Sequence, residues 1–227
     1  GGPTMSQAAF IRSLSNSFFK KRNGLFSSPL SSNDVLPWTR TQQAAFLIIL
    51  WQEIAKSVSV TDSEWANALR NEDRQLKVHE DVPKWDLAFT SKNSFLSRDQ
   101  GVRGISLFAN DFFYVAAGYN DLPFDEFDFD EEDEKSITIN ALNGTIEYFK
   151  SERTDLYNLI ENFGKCACNV DWRTPSSVFD QTSKRDYQMR YKGSSGYSEF
   201  WKSLLDVFLE SDNEFVKKYV GQMTDMR

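Results

Sequence analysis

Seven apolar residues, Ile139, Leu142, Ile146, Phe149, Leu156, Ile160 and Phe163, recur in alternating steps of three and four, with Arg153 in the one polar slot. Steps of three and four keep side chains on one face of a helix, whereas a strand needs alternation by two. The stretch therefore predicts one long helix, or two stacked ones, ending at Gly164. No comparable run of alternating strand residues occurs anywhere in the 227 residues.

The same periodicity recurs elsewhere. Phe10, Ile11, Leu14 and Phe18 predict a first helix from Ser6 to about Arg22, with Gly24 as its stop. The Ser- and Pro-rich stretch Ser27 to Pro37 reads as a loop with turns at Pro29 and Pro37. Thr41 can cap a helix to about Val58, whose centre, Ala44 to Trp51, is apolar on all sides and so belongs in the middle of a core. Thr61 and Glu64 have capping-box spacing ahead of Trp65, Ala68 and Leu69, and the polar exit Asn71 to Glu80 is expected to be exposed. Ser97 and Gln100 repeat that spacing before Val102, Ile105, Phe108, Phe112, Val115 and Ala116, which predicts an amphipathic helix ending at Gly118. The segment Lys165 to Lys192 lacks periodicity and reads as irregular and locally basic. Tyr197, Trp201, Leu204, Leu205 and Phe208, then Phe215, Val216 and Tyr219, give a C-terminal helix or helix pair. With no repeat of 20 to 50 residues, the expected fold is mainly α: a single irregular helical domain, 5–227, of about six to eight helices with an acidic loop at 121–135. Gly1 to Thr4, ahead of Met5, read as residues left by cloning.

Composition removes several function classes. The longest apolar run is eight residues, against the roughly 18 to 20 of a membrane-spanning helix, and no leader pattern is seen near the start, so no membrane partner and a cytoplasmic location are expected. Cys166 and Cys168 are too close for an easy disulfide and are the only cysteines. His79 is the only histidine, and no second one follows a turn later, so neither a zinc site nor a His-dependent hydrolase is expected. No cofactor and no metal are expected.

Charge is concentrated. The formal net charge is −7, yet Asp121 to Glu134 holds nine acidic residues and no base. In this stretch Phe124, Asp125, Phe127, Asp128, Phe129 and Asp130 interleave aromatic anchors with carboxylates, a pattern suited to a protein partner with a basic groove. An acidic surface loop whose phenylalanines tuck back is the plainer reading. The stretch lacks the central Gly of a calcium loop, while a two-carboxylate magnesium site stays open.

Two further groups of residues could hold a ligand. On the helix from Ser97, the polar residues Gln100, Arg103, Asn110, Asp111 and Tyr114 gather opposite the apolar arc, with Gly101 and Gly104 permitting close approach of another backbone. Arg103 could bind an anion there and Asp111 a metal or a donor. The alternative is a wetted helix face in which Asp99 and Arg103 pair one turn apart. The second group is the loop Arg190 to Tyr197, where Arg190, Lys192, Ser194 and Ser195 precede a helix and could receive an anion. It has neither the P-loop order nor Gly-x-Ser-x-Gly. Basic clusters at Lys20 to Arg22 and Lys184 to Lys192, with Tyr187, Tyr191 and Tyr197, suit nucleic acid only weakly, because the acidic block opposes it.

These features favour a non-catalytic, cytoplasmic macromolecule-binding protein acting as a regulatory or adaptor subunit. Two alternatives stay open: a small enzyme or ligand binder using Arg103, Asp111 and nearby carboxylates, with a divalent metal and a phosphorylated substrate, or an acidic decoy of a nucleic-acid-binding protein.

Overall fold

A computed structural model describes residues 5–20, 22–26, 36, 38–76, 85–119, 137–178, 180–193 and 196–224. The chain is mainly helical, and no strand occurs among these residues. In chain order the helices are α1 (Gln7–Asn16), α2 (Arg40–Val60), α3 (Glu64–Leu76), α4 (Leu87–Thr90), α5 (Asp99–Gly118), α6 (Ile139–Ser151), α7 (Thr154–Ala167), α8 (Gln181–Arg190), α9 (Gly196–Leu209) and α10 (Glu214–Met223). Short 3-10 turns lie at Phe95–Ser97 and Pro175–Ser177.

Two packing centres hold these helices together. α5 packs on α9, α1 and α10, and α2 packs on α7, α6 and α4, while α7 also reaches α9 and α10 and so joins the two centres. At the junction Phe108, Phe112 and Phe163 meet Phe208, with ring centroids 4.7, 5.6 and 5.0 Å from it. All three contacts are edge-on, the arrangement that the negative ring face and positive ring edge favour.

Glycine permits two close contacts between α-helices. A Cβ added at Gly104 would lie 2.5 Å from the Phe200 Cβ, and one at Gly164 would lie 2.7 Å from the Glu53 carbonyl oxygen. Neither contact tolerates a side chain. Gly164 is thus a helix-packing residue and not a helix stop, and α7 continues past it to Ala167.

Other boundaries differ from the sequence expectation for local reasons. α1 ends at Asn16, because the chain turns at Ser17 (φ −114°, ψ −85°) and Phe18 is buried in the core, its carbonyl accepting from the Phe26 N–H. α2 is capped by Thr39, not Thr41: Thr39 Oγ1 accepts from the Gln42 N–H at 3.2 Å and Gln42 Oε1 accepts from the Thr39 N–H at 2.8 Å. Thr61 closes α2 through its N–H to the Ser57 carbonyl, and α3 extends the expected third helix to Leu76. Ser97 donates its hydroxyl to the Ser91 and Ser94 carbonyls, so α5 begins without a side-chain cap. The long periodic stretch is two helices, broken where Arg153 leaves helical geometry (φ −111°, ψ 52°).

The segment 165–192 is not irregular throughout. It contains α8, whose first turn is held by Asp180 accepting from the Thr182 and Ser183 N–H groups at 2.9 and 3.0 Å. α8 has no buried residue, so it carries no apolar stripe to read. The acidic block 121–134, His79, the prolines at 29 and 37, and residues 77–80 lie outside the described residues.

Candidate functional site

The polar row of α5 divides into two different environments. Asn110 and Asp111 are fully or nearly buried, not wetted. Asn110 Oδ1 accepts from the Leu25 N–H at 2.8 Å and its Nδ2 donates to the Asn23 carbonyl at 2.9 Å, which fixes the turn after α1, where Asn23 has φ 55°. Asp111 accepts from Lys20 Nζ at 2.9 Å, from Trp201 Nε1 at 3.0 Å and from Asn110 Nδ2 at 3.1 Å. With its oxygens answered by these donors, Asp111 ties α5 to the α1 exit and to α9. A carboxylate so engaged is a structural group, and offering it to a metal would strand Lys20 and Trp201.

At the other end of the row Gln100 donates to the Tyr191 and Gly193 carbonyls at 3.0 and 3.1 Å, holding the loop ahead of α9. Arg103 forms the expected pair with Asp99, Nε to Oδ1 3.1 Å, but the Nε–H and this oxygen are not aligned as a hydrogen bond. Arg103 lines a polar cleft of about 390 Å³ together with Ser13, Asn16, Leu107, Tyr197 and Ser198. Ser13 is 2% exposed, and its Oγ has no hydrogen-bond partner.

The basic loop contributes less than its composition suggests. Arg190 donates to Ser203 Oγ at 3.1 Å and lies 3.8 Å from Glu199, and Lys192 is exposed and also engaged. Ser194 and Ser195 lie outside the described residues. Of the tyrosines, Tyr191 is buried and stacked on Phe200 at 4.4 Å, and Tyr187 donates its hydroxyl to Asp171 at 2.8 Å, where burial pushes its phenol well above the ordinary value.

The carboxylates and thiols elsewhere also do structural work. Glu53 accepts from Tyr157 at 2.6 Å and from Lys56 at 3.0 Å, and Lys56 reaches Glu161 at 3.3 Å, which clamps α2 to α7. The hydrogen bond to Glu53 raises the Lys56 ammonium above its ordinary value. Cys166 and Cys168 are free and buried, and burial pushes both thiols up, so they are protonated and unreactive at neutral pH. No group of three His, Cys, Asp or Glu side chains that could hold a metal occurs among the described residues.

An apolar groove was not legible in advance. It encloses about 490 Å³ between α1, α2 and α4 and is lined chiefly by Phe10, Leu47, Ile48, Trp51, Trp85 and Phe89. The all-round apolar centre of α2 had implied complete burial, yet Leu47, Ile48 and Trp51 are only half-buried because α6 and α7 cover the opposite side. The sequence signal was there in α2, but the other walls come from residues as distant as Phe10 and Phe89. Compared with protein families, with curated proteins and with solved structures, the chain matches none.

Proposed function

We propose that this chain is a non-catalytic protein-binding subunit, regulatory or adaptor in kind, that takes an amphipathic helix with a basic outer face. The apolar groove carries this reading. Along its floor Ala44, Leu47, Ile48, Trp51 and Ala55 share one face of the helix over twelve residues, a strip about 16 Å long. A strip with small residues at both ends and bulky ones between is the counterpart that one face of another helix packs against. Contiguous apolar surface left open on a folded chain is a hallmark of interaction sites.

The partner's charge follows from the chain's own. With net charge −7 and nine carboxylates in Asp121 to Glu134, the chain attracts a partner rich in Lys and Arg, and that attraction acts on the association rate. Phe124, Phe127 and Phe129 are proposed as secondary anchors for the same partner.

The test uses a designed helical peptide with a Leu face and a Lys face, titrated against the intact chain while tryptophan emission is followed. Trp51 and Trp85 line the groove and should report binding. Ile48→Glu should weaken binding at least tenfold, and a peptide with the same apolar face but Glu in place of Lys should bind more weakly. Equal affinity of the two peptides, or no effect of Ile48→Glu, would overturn the reading. Preferential binding of a free fatty acid at the groove would overturn it too.

A further inference from the structure

We propose that the polar cleft between α1, α5 and the start of α9 binds the phosphate group of a small phosphate ester. Residues from three elements that carry donors line it. Arg103 brings a planar fork of five N–H groups, committed only to an unaligned pair with Asp99. Ser13 brings a hydroxyl with no partner on a side chain that is 2% exposed. Tyr197 and Ser198 stand in the first turn of the 14-residue α9, where the helix dipole favours negative charge.

The buried serine carries most weight. A hydroxyl kept from water without a hydrogen bond costs free energy, roughly 1 to 3 kcal/mol; Ser106 and Thr174 carry such hydroxyls too, and what sets Ser13 apart is that it lines a cleft beside a cation. Ser13 lines the cleft, so rotation of its side chain toward a bound ligand oxygen would satisfy the hydroxyl. Negative ends that could oppose an anion are already answered: the Ser13 carbonyl accepts from the Ser17 hydroxyl, and the Leu14 carbonyl accepts from the Ser17 and Phe19 N–H groups. Among the described residues Asp99 is the carboxylate paired to the site's cation, and the Arg103 fork has enough donors to serve both it and a phosphate.

Donors arriving from three elements suit a tetrahedral oxyanion better than a flat carboxylate, whose two oxygens share a plane. The cleft is also larger than a bare phosphate needs. Leu107 and the Tyr197 ring provide an apolar wall for an organic portion, so an ester fits better than the free ion. The site lies on other residues than the apolar groove and does not depend on what the groove binds.

Calorimetric titration of the intact chain with phenyl phosphate, inorganic phosphate and benzoate tests this. Phenyl phosphate should bind saturably at one site, at least tenfold more tightly than either of the other two. Arg103→Gln should weaken it at least tenfold. Ser13→Ala should weaken it several-fold while leaving the melting temperature unchanged or higher, a combination that a purely structural serine would not give. Lys217→Gln, on α10, is the control for general charge and should change nothing. Absence of saturable binding, or binding indifferent to Arg103→Gln, would overturn the site. Equal affinity for inorganic phosphate and phenyl phosphate would overturn the ester.

Discussion

The two ends of α5 carry similar polar side chains and do opposite things with them. Near its C-terminal half, Asn110 and Asp111 are buried and each makes several hydrogen bonds, to the turn at 23–25, to Lys20 and to Trp201. Near its N-terminal half, Arg103 has an ion pair of poor alignment and faces a cleft beside a serine without a partner. A polar group that the fold has satisfied is holding the fold together. One that the fold has left short of partners is where a ligand can be gained, because the cost of burying it has already been met by the rest of the chain.

This contrast is open to attack by mutation, and the largest effect is expected at Asp111. Asp111→Ala removes the carboxylate that Lys20 and Trp201 Nε1 donate to, and should lower unfolding free energy by about 3 kcal/mol in urea titration. A loss below about 1 kcal/mol would mean that the buried end is no more structural than the open one. Asn110→Ala removes both bonds that hold the turn after α1, and about 2 kcal/mol is expected from the same measurement. Trp201→Phe keeps most of the ring packing on Phe108 and removes one donor to Asp111, so about 1 kcal/mol should be lost. The smallest effect belongs to the open end: Arg103→Ala should change stability by no more than about 0.5 kcal/mol, since its pair with Asp99 is partly exposed and unaligned. If Arg103→Ala cost as much as Asn110→Ala, Arg103 would be a structural residue and the cleft would lose its cation.

A second contrast, between helix starts, shows where local reading stops. The sequence spacing offers two capping boxes, Thr61 with Glu64 and Ser97 with Gln100. In the fold Thr61 ends the preceding helix, Ser97 bonds back into its own turn, and Gln100 is drawn off to hold the loop before α9. The reciprocal capping box lies instead at Thr39 and Gln42. The same short pattern fits all three places, and longer-range partners decide which side chain is free to cap. The longer helices are still legible, because their apolar residues recur at helical spacing or, in α2, fill the helix all round; the single turn α4 is too short to show a period. α8 escaped because it has no apolar stripe.

Neither candidate site could be assembled from spacing alone. The groove joins Phe10, the floor of α2, Trp85 and Phe89, and the cleft joins Ser13, Arg103 and Tyr197. The helical spacing offers Arg103 either to an anion or to Asp99 one turn away, while nothing in the sequence separates Ser13 from Ser15 of α1. Helical spacing groups Arg103 with residues of its own helix, whereas its neighbours in the cleft come mostly from α1 and α9.

The sequence by itself determined that this chain is helical and, for most of its helices, which face is apolar. Periodicity is a property of a helix about its own axis, and burial of apolar surface acts on it wherever the helix ends up. What packs against each face was decided only in three dimensions. The all-round apolar centre of α2 is covered on one side and left as a groove on the other, because α6 and α7 take up one side and α1 and α4 only flank the rest. In the same way the polar row of α5 was visible as a row, but whether a given member is paired or left open depends on Lys20, Trp201 and Ser13, all far away in sequence. A side chain's direction is encoded locally, while its partner is a fact about the whole chain.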